Sequence, residues 1–236
     1  RIDMENSQQE AVAAALRALG EPYESQLRVV ETLPESPAEG ILRGDDIILA
    51  VDGEPVRDVT ALRAAIAANG TADPVSIGIV RGGSERTLEV TPVLSEGEER
   101  VPVIGVLIAG EYVFPFDVNI ELENVGGPSA GMMFALGIID KLTPGSLAGG
   151  AEVAGTGTIG ADGTVGPIGG IVQKMHGAVG FGADWFLAPV GNCDEVVGNV
   201  PGDLEVFAVA TLDEAIGVLQ TIADEGDLGE LARCER

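Results

Sequence analysis

Residues 126–133 read Gly-Gly-Pro-Ser-Ala-Gly-Met-Met, and this run indicates the start of a helix. Proline is favoured at the first helical position, so Pro128 places Ser129 in the first turn. Backbone N–H groups are unpaired there, and the helix dipole favours a developing negative charge. Ser129 is therefore a candidate nucleophile, with the N–H groups of Ser129 and Ala130 as candidate oxyanion donors. A small residue that permits close packing at a helix start is the alternative interpretation.

A second run, residues 167–178, predicts a helix that begins near Ile171 and carries Lys174 on its apolar face. Burial lowers the pKa of an ammonium group, and a neutral lysine can act as a general base. Among the 13 basic residues only Lys141 and Lys174 are lysines. An arginine cannot lose its proton, so a lysine at this position in a chain that otherwise uses arginine favours a role as a general base. The alternative is a side chain whose ammonium group reaches water.

The two runs together resemble the proteolytic domain of the Lon family, and the resemblance extends over residues 101–223. It implies that Ser129 is the nucleophile, that Lys174 is the general base and that Thr156 supports the site close to the lysine. A serine beside a desolvated lysine is a known variant of the nucleophile–base pair. The matching motifs occur in family order, at residues 127–131, 154–157, 165–170 and 174.

Two positions qualify this resemblance. Many Lon domains have an acidic residue where this chain has Gly126, which leaves Lys174 without a local carboxylate and is consistent with a neutral base. His176 is the only histidine. It falls on the opposite side of the predicted helix from Lys174, which disfavours a Ser–His–Asp triad.

Residues 25–93 resemble a PDZ domain of the bacterial type. The resemblance is carried by the turn at residues 36–38, by Gly44 and Asp45, by a strand over 47–51 and by a helix over 61–68 that Thr60 caps. PDZ domains bind extended peptides by adding a strand to a sheet edge beside that helix. No carboxylate-binding loop is recognisable, so peptide binding follows from the resemblance alone, and a spacer or docking module is the alternative.

These resemblances predict an α+β chain, in which a small PDZ-like β-rich domain precedes a Lon-type proteolytic α/β domain. We expect an N-terminal helix plus the PDZ-like domain over residues 1–95, the proteolytic domain over 101–223 and a polar tail over 224–236. Ser7 and Glu10 fit a capping box and predict the start of the N-terminal helix.

The formal net charge of −25 argues against nucleic acid and against anionic membrane surfaces as partners, because both repel such a chain. The longest strongly apolar stretch, Met132–Ile139, is too short to span a bilayer. Bacterial PDZ–Lon-like proteases carry a membrane anchor before the PDZ region. The resemblance therefore implies an anchor that precedes this sequence, a location at the extracytoplasmic face of the membrane and assembly into a homo-oligomer.

Cys193 and Cys234 match no zinc or redox motif, and a disulfide and two free thiols remain equally open. With one histidine and two cysteines a structural zinc site is disfavoured, and we expect neither a metal nor another cofactor.

The leading hypothesis is an ATP-independent serine endopeptidase that cleaves unstructured or damaged proteins through a Ser129–Lys174 dyad, with the PDZ-like domain for recognition. No nucleotide-binding motif of the P-loop type occurs in the sequence. A catalytically silent peptide-binding scaffold is the second hypothesis. The third is a phosphate-binding enzyme, because a glycine-rich run at a helix start can also bind phosphate.

Overall fold

A computed structural model describes residues 2–96, 100–116, 118 and 127–235. The chain forms two compact units. The sheet unit is Tyr23–Pro115, and the split unit combines Asp3–Pro22 with Phe116–Arg236. The predicted α+β class is confirmed, since the chain contains both helices and strands and most of the described strand pairs are antiparallel. Within the described residues, no helix combines the length and the apolar character needed to cross a membrane.

The sheet unit is built on an antiparallel sheet with the strand order β5-β4-β2-β1-β8, in which β3 pairs with β2. A separate short ladder joins β6 to β7. The bounds are β1 Glu24–Thr32, β2 Ile47–Val51, β3 Glu54–Pro55, α2 Val59–Asn69, β4 Val75–Arg81, β5 Ser84–Val90, β6 Val93–Leu94, β7 Pro102–Val103 and β8 Val106–Val113.

Local turn and cap residues define much of this unit. Asp52 and Gly53 have φ values of 50° and 83°, which reverse the chain between β2 and β3 as the Asp-Gly pair predicts. Helix α2 is longer than predicted. Its N-cap is Asp58 rather than Thr60, because the Asp58 carboxylate accepts a hydrogen bond of 2.6 Å from the N–H of Ala61.

Strand β8 corrects the predicted boundary between the two domains. Residues 101–115, assigned from the sequence to the proteolytic domain, belong to the sheet unit. Strand β8 pairs with β1 along its length, from Glu24 opposite Val113 to Thr32 opposite Val106. This pairing satisfies backbone groups along the side of β1 that faces away from β2, and only β8 supplies that ladder among the described strands.

The split unit contains a parallel sheet with the order β13-β12-β9 and a short antiparallel hairpin, β10–β11. Its bounds are α1 Ile2–Ala18, α3 Gly131–Leu142, β9 Val153–Gly155, β10 Thr158–Ile159, β11 Val165–Gly166, α4 Ile171–Gly180, β12 Trp185–Pro189, α5 Cys193–Val196, β13 Glu205–Val209 and α6 Leu212–Ala223. Helix α4 begins at Ile171, as the sequence predicts. The sequence also predicts strands over residues 101–120, and residues 117, 119 and 120 of that range lie outside the described residues.

Helix α1 groups with the split unit from Asp3 onward, whereas the sequence placed it with the PDZ-like domain. The predicted capping box is wrong, because α1 begins at Ile2 and Ser7 lies inside the helix. Ser7 is buried, and its hydroxyl lies 3.4 Å from the carbonyl oxygen of Pro128. The continuous burial of residues 11–16 explains why α1 packs in this unit.

The polar tail is tied to the split unit. A disulfide joins Cys193 to Cys234, which decides between the two alternatives that the sequence left open. The N–H of Ala208 in β13 donates a hydrogen bond of 2.9 Å to the carbonyl of Ala232. The tail thus follows the side of β13 and is part of the folded unit.

Candidate active site

Ser129 lies in a 3-10 turn, Pro128–Ala130, immediately before α3. Gly127 precedes this turn with a φ of 81°, a conformation that favours glycine. The carbonyl of Ser129 accepts a hydrogen bond of 2.8 Å from the N–H of Gly157. The turn is therefore fixed through its backbone, while the Ser129 side chain stays partly exposed.

Lys174 lies in the first turns of α4, and its N–H donates to the carbonyl of Gly170. Ile171, Met175 and Ala178 on the same helix are buried in a common core. The helix therefore packs with its apolar side inward, and the partly buried Lys174 side chain reaches past that core toward Ser129.

The structure brings the two predicted residues into contact: 2.8 Å separate Nζ of Lys174 from Oγ of Ser129. Burial lowers the pKa of Lys174 below its usual value, because desolvation disfavours the ammonium form. Both the distance and the direction of this pKa change suit proton transfer between the two atoms.

Thr156 is placed beside the serine. It is buried, and its hydroxyl donates a hydrogen bond of 2.8 Å to the carbonyl of Ser129. The sequence predicted a contact near the lysine, whereas this hydrogen bond goes to the backbone of the nucleophile. Thr156 thus holds the turn that carries Ser129.

The remaining site predictions have different outcomes. Ser129 and Ala130 share the 3-10 turn, and their role as oxyanion donors stays a prediction. His176 is exposed on α4, as expected for the side away from Lys174. Gly126 lies outside the described residues. In the described part of the chain, no cluster of three His, Cys, Asp or Glu side chains is arranged to hold a metal ion.

A cavity of about 400 Å³ adjoins Lys174. It opens between α4 and β9, and its walls are mostly apolar or small. Phe181 is 94% exposed at its edge, and Glu152 supplies a carboxylate there. Its lining includes Glu152, Ala154, Lys174, Ala178, Phe181 and Phe186.

Asn192 is a buried polar residue that the sequence patterns did not single out. It lies in a 3-10 turn at the end of β12, and its side chain bonds to the backbone of Ile168, in the loop before α4. A polar residue three positions after a buried strand is the signal that could have identified it.

The sheet unit has a groove of its own. A cavity of about 540 Å³ lies between α2 and the segment 101–108, and most of its lining is apolar. Gly105 lies in this segment with a φ of 71°, and a Cβ there would meet the Cβ of Ser36 at 2.2 Å. Strand β8 forms the end of the sheet among the described strands. The groove therefore uses residues that the sequence assigned to the other domain.

Comparison with protein families gives two matches. Residues 2–91 match the profile described as PDZ domain. Residues 124–221 match the profile described as Lon protease (S16) C-terminal proteolytic domain. The second match contains Ser129, Thr156 and Lys174, while the first ends before β8.

Two Lon proteases and one solved PDZ domain are similar to parts of this chain. The archaeal Lon protease of Archaeoglobus fulgidus is 29% identical over 161 residues, which are 58% of this chain and 25% of that protein. The Lon protease of Haemophilus influenzae is 37% identical over 117 residues, 47% of this chain and 14% of that protein. This chain thus spans a quarter or less of these relatives. The solved PDZ domain of an SdrC-like protein from Listeria innocua is 23% identical, with a TM-score of 0.33, and the match covers 35% of this chain and 92% of that domain.

Proposed function

Because this chain joins a PDZ domain to a Lon-type C-terminal proteolytic domain, we propose that it is a serine endopeptidase with a Ser129–Lys174 dyad. The observation that carries the proposal is the 2.8 Å contact between Nζ of Lys174 and Oγ of Ser129. The lowered pKa of Lys174 supports it, because a base must be neutral to accept a proton.

In the proposed reaction, neutral Lys174 takes the hydroxyl proton of Ser129 while Oγ forms a bond to the peptide carbonyl carbon. The peptide C–N bond then breaks, and the amine leaves with the proton that Lys174 returns. Water attacks the resulting acyl-enzyme and gives a proton to Lys174. The ester bond breaks, Ser129 recovers its proton and the carboxylic product leaves.

The backbone supports this sequence of steps. We assign stabilisation of the tetrahedral oxyanion to the N–H groups of Ser129 and Ala130, which lie in the turn before α3. Thr156 holds the carbonyl of Ser129, so it keeps this turn in place while charge develops. Protein or peptide substrates with unstructured segments fit the proposal, and cleavage requires no nucleotide.

The sheet unit is proposed to recognise substrates or partner proteins. Its apolar groove lies between α2 and residues 101–108, and β8 offers a sheet edge beside that helix among the described strands. An extended peptide can pair with such an edge and place alternate side chains in the groove.

The central test is casein cleavage by the wild type, Ser129→Ala and Lys174→Ala, with Lys141→Ala as the matched control. Lys141 is the other lysine of the chain, and it is exposed at the end of α3. We expect loss of cleavage in the first two variants and full activity in the control. A fluorophosphonate probe, read by mass spectrometry, should label Ser129.

The outcome also separates this proposal from its alternatives. Undiminished cleavage by Ser129→Ala would overturn the dyad. Peptide binding by a protein that neither cleaves casein nor reacts with the probe would favour the silent scaffold. A rise in melting temperature with ATP would favour the phosphate-binding enzyme, whereas addition of ATP leaves cleavage unchanged in our proposal.

We also propose that the protein works as a homo-oligomer at the extracytoplasmic face of the membrane, held by an anchor that precedes this sequence. The Cys193–Cys234 disulfide supports this location, because disulfides persist in oxidising compartments. Sedimentation of the purified chain and cell fractionation test assembly and location separately.

A further inference from the structure

We propose that Asn192 is a positioning residue for Lys174: its buried side-chain amide fixes the loop from which α4 begins and thereby holds Lys174 against Ser129. This inference rests on the proposed endopeptidase function, and it assigns a task to a residue that lies outside the dyad.

The Asn192 amide satisfies both backbone groups of a single residue. Its Oδ1 accepts a hydrogen bond of 2.9 Å from the N–H of Ile168, and its Nδ2 donates one of 2.8 Å to the Ile168 carbonyl. The second hydrogen of Nδ2 goes to Oε1 of Glu195, at 2.8 Å. Asn192 is 3% exposed, so these bonds form away from water. Loss of the amide would leave two buried backbone groups of Ile168 without partners.

Ile168, the residue that the Asn192 amide holds, is close to the start of α4. Gly170, two residues after Ile168, is the N-cap of α4 and has left-handed φ and ψ values of 73° and 34°. The carbonyl of Gly170 accepts the hydrogen bond from the N–H of Lys174. Because no side chain caps α4 in the described part of the chain, the direction of its first turn depends on how this loop is held.

Asn192 is itself held by contacts of the residues on either side of it in the chain. Cys193, the next residue after Asn192, forms the disulfide with Cys234 in the tail. Gly191, the residue before it, approaches Pro167 so closely that a Cβ would meet the proline ring at 3.1 Å. Asn192 is therefore fixed by its neighbours, which is what a side chain needs if it is to position another element.

The expected consequence is a change in the titration of Lys174. Burial is the cause that lowers its pKa. In the described residues, the titratable groups on the surrounding elements include Glu152 before β9, Asp184 before β12, His176 on α4, and Asp194 and Glu195 on α5. A looser loop would let water reach the ammonium group, so the pKa of Lys174 would rise and the rate would need a higher pH to reach its plateau.

The experiment compares the wild type with Asn192→Ala on a fluorogenic peptide or casein, with kcat and KM measured across the pH range. We expect kcat near neutral pH to fall by about ten- to a hundredfold with KM little changed, because small displacements of reacting groups cost this much. The rising limb of kcat against pH should move upward by about one pH unit. The rate at which the fluorophosphonate probe labels Ser129 should rise with pH in the same way, and its rising limb should move upward by the same amount.

A matched control is available just after the short helix α5. Asn199 donates a hydrogen bond of 3.0 Å to the carbonyl of Glu195 but does not touch the loop before α4, so Asn199→Ala should leave the pH profile unchanged. If Asn192→Ala does not fold, Glu195→Ala removes only the outer bond to the amide and should move the rising limb in the same direction.

The outcomes of these measurements either support or overturn the positioning role of Asn192. An unmoved rising limb in both Asn192→Ala and Glu195→Ala would overturn it, and so would an equal displacement in Asn199→Ala. A wild type that shows no turnover above Ser129→Ala would overturn the proposed function itself. Normal wild-type turnover with normal variants overturns only the positioning role.

Discussion

The sheet unit and the split unit both bury polar side chains, but those side chains bond to different kinds of partner. In the sheet unit Asp46 is buried and accepts hydrogen bonds from Arg81 and from the N–H of Arg43. This ion pair joins the turn before β2 to the end of β4. In the split unit Thr156 and Asn192 are bonded to the backbone beside the proposed dyad.

This difference predicts which substitutions in the chain affect stability and which affect turnover. A buried polar contact in the sheet unit fixes the fold of that unit and lies on other elements than Ser129 and Lys174. In the split unit, the buried contacts of Thr156 and Asn192 are made to the backbone of Ser129 and to the loop before the helix that carries Lys174. Substitutions in the first group should lower stability alone, while substitutions in the second should lower turnover more than stability.

The largest expected effect is that of Lys174→Arg. Arginine keeps the positive charge but cannot lose its proton, so the proposed base is removed without removing a cation. We expect turnover of casein to fall by about a thousandfold. Thermal unfolding should change little, and Lys141→Arg should behave as the wild type. Retention of substantial turnover in Lys174→Arg would show that a deprotonated side chain is not required.

Asp46→Asn should give the largest effect on stability. It leaves Arg81 beside a neutral partner in a place where the Asp46 side chain is 1% exposed. We expect a loss of about 3 kcal/mol in the free energy of unfolding, measured by urea denaturation. Asp45→Asn is the control, because the Asp45 side chain is 90% exposed. Probe labelling of Ser129 below the unfolding transition should be the same in both variants.

The stabilisation from Asp46 should also depend on pH. Burial by itself raises the pKa of Asp46, but the hydrogen bonds from Arg81 and Arg43 outweigh it and hold that pKa below its usual value. The stabilisation is therefore complete above the unfolded-state pKa of about 3.9 and is lost as the pH falls through the lower folded-state pKa. The stability difference between the wild type and Asp46→Asn should shrink between about pH 5 and pH 3. A constant difference over this range would argue against the charged pair.

The range over which a contact acts explains how much of the structure the sequence could predict. Signals that act between neighbouring residues, such as Pro128 before Ser129 or the apolar face over Ile171–Gly180, indicate the local structure around both residues of the candidate dyad. Contacts between distant segments carry no such signal. The pairing of β8 with β1 depends on backbone groups far apart in the chain, and the sequence therefore assigned β8 to the wrong domain.

The contact between Asn192 and Ile168 is a similar case, since 24 residues separate the two and the bonded partner is backbone. Backbone groups look the same in every sequence, so only the fold shows which of them a buried amide meets. The same holds for Thr156, whose hydroxyl the family resemblance placed near the lysine and the structure places on the Ser129 carbonyl.

Thr156→Val gives a smaller effect on the split unit. Valine keeps the shape but loses the hydroxyl that bonds to the Ser129 carbonyl, so that carbonyl keeps the hydrogen bond from the N–H of Gly157 and loses the second one. We expect turnover to fall about tenfold and the free energy of unfolding to fall by about 1 kcal/mol. Thr221→Val is the control, because its hydroxyl donates to the Gly217 carbonyl within α6. Equal losses of turnover in the two variants would contradict a specific role for Thr156.

The smallest expected effect tests whether the groove of the sheet unit contributes to recognition and not to chemistry. Ala67 and Ala68 are both exposed on α2, but only Ala67 lines the groove. Ala67→Trp should fill part of the groove and raise KM for casein by about fivefold, equivalent to about 1 kcal/mol, with kcat unchanged. Ala68→Trp adds the same side chain beside the groove and should leave both constants unchanged. A fall in kcat with Ala67→Trp would mean that the groove acts on the reaction itself, and equal constants in the two variants would remove it from substrate recognition.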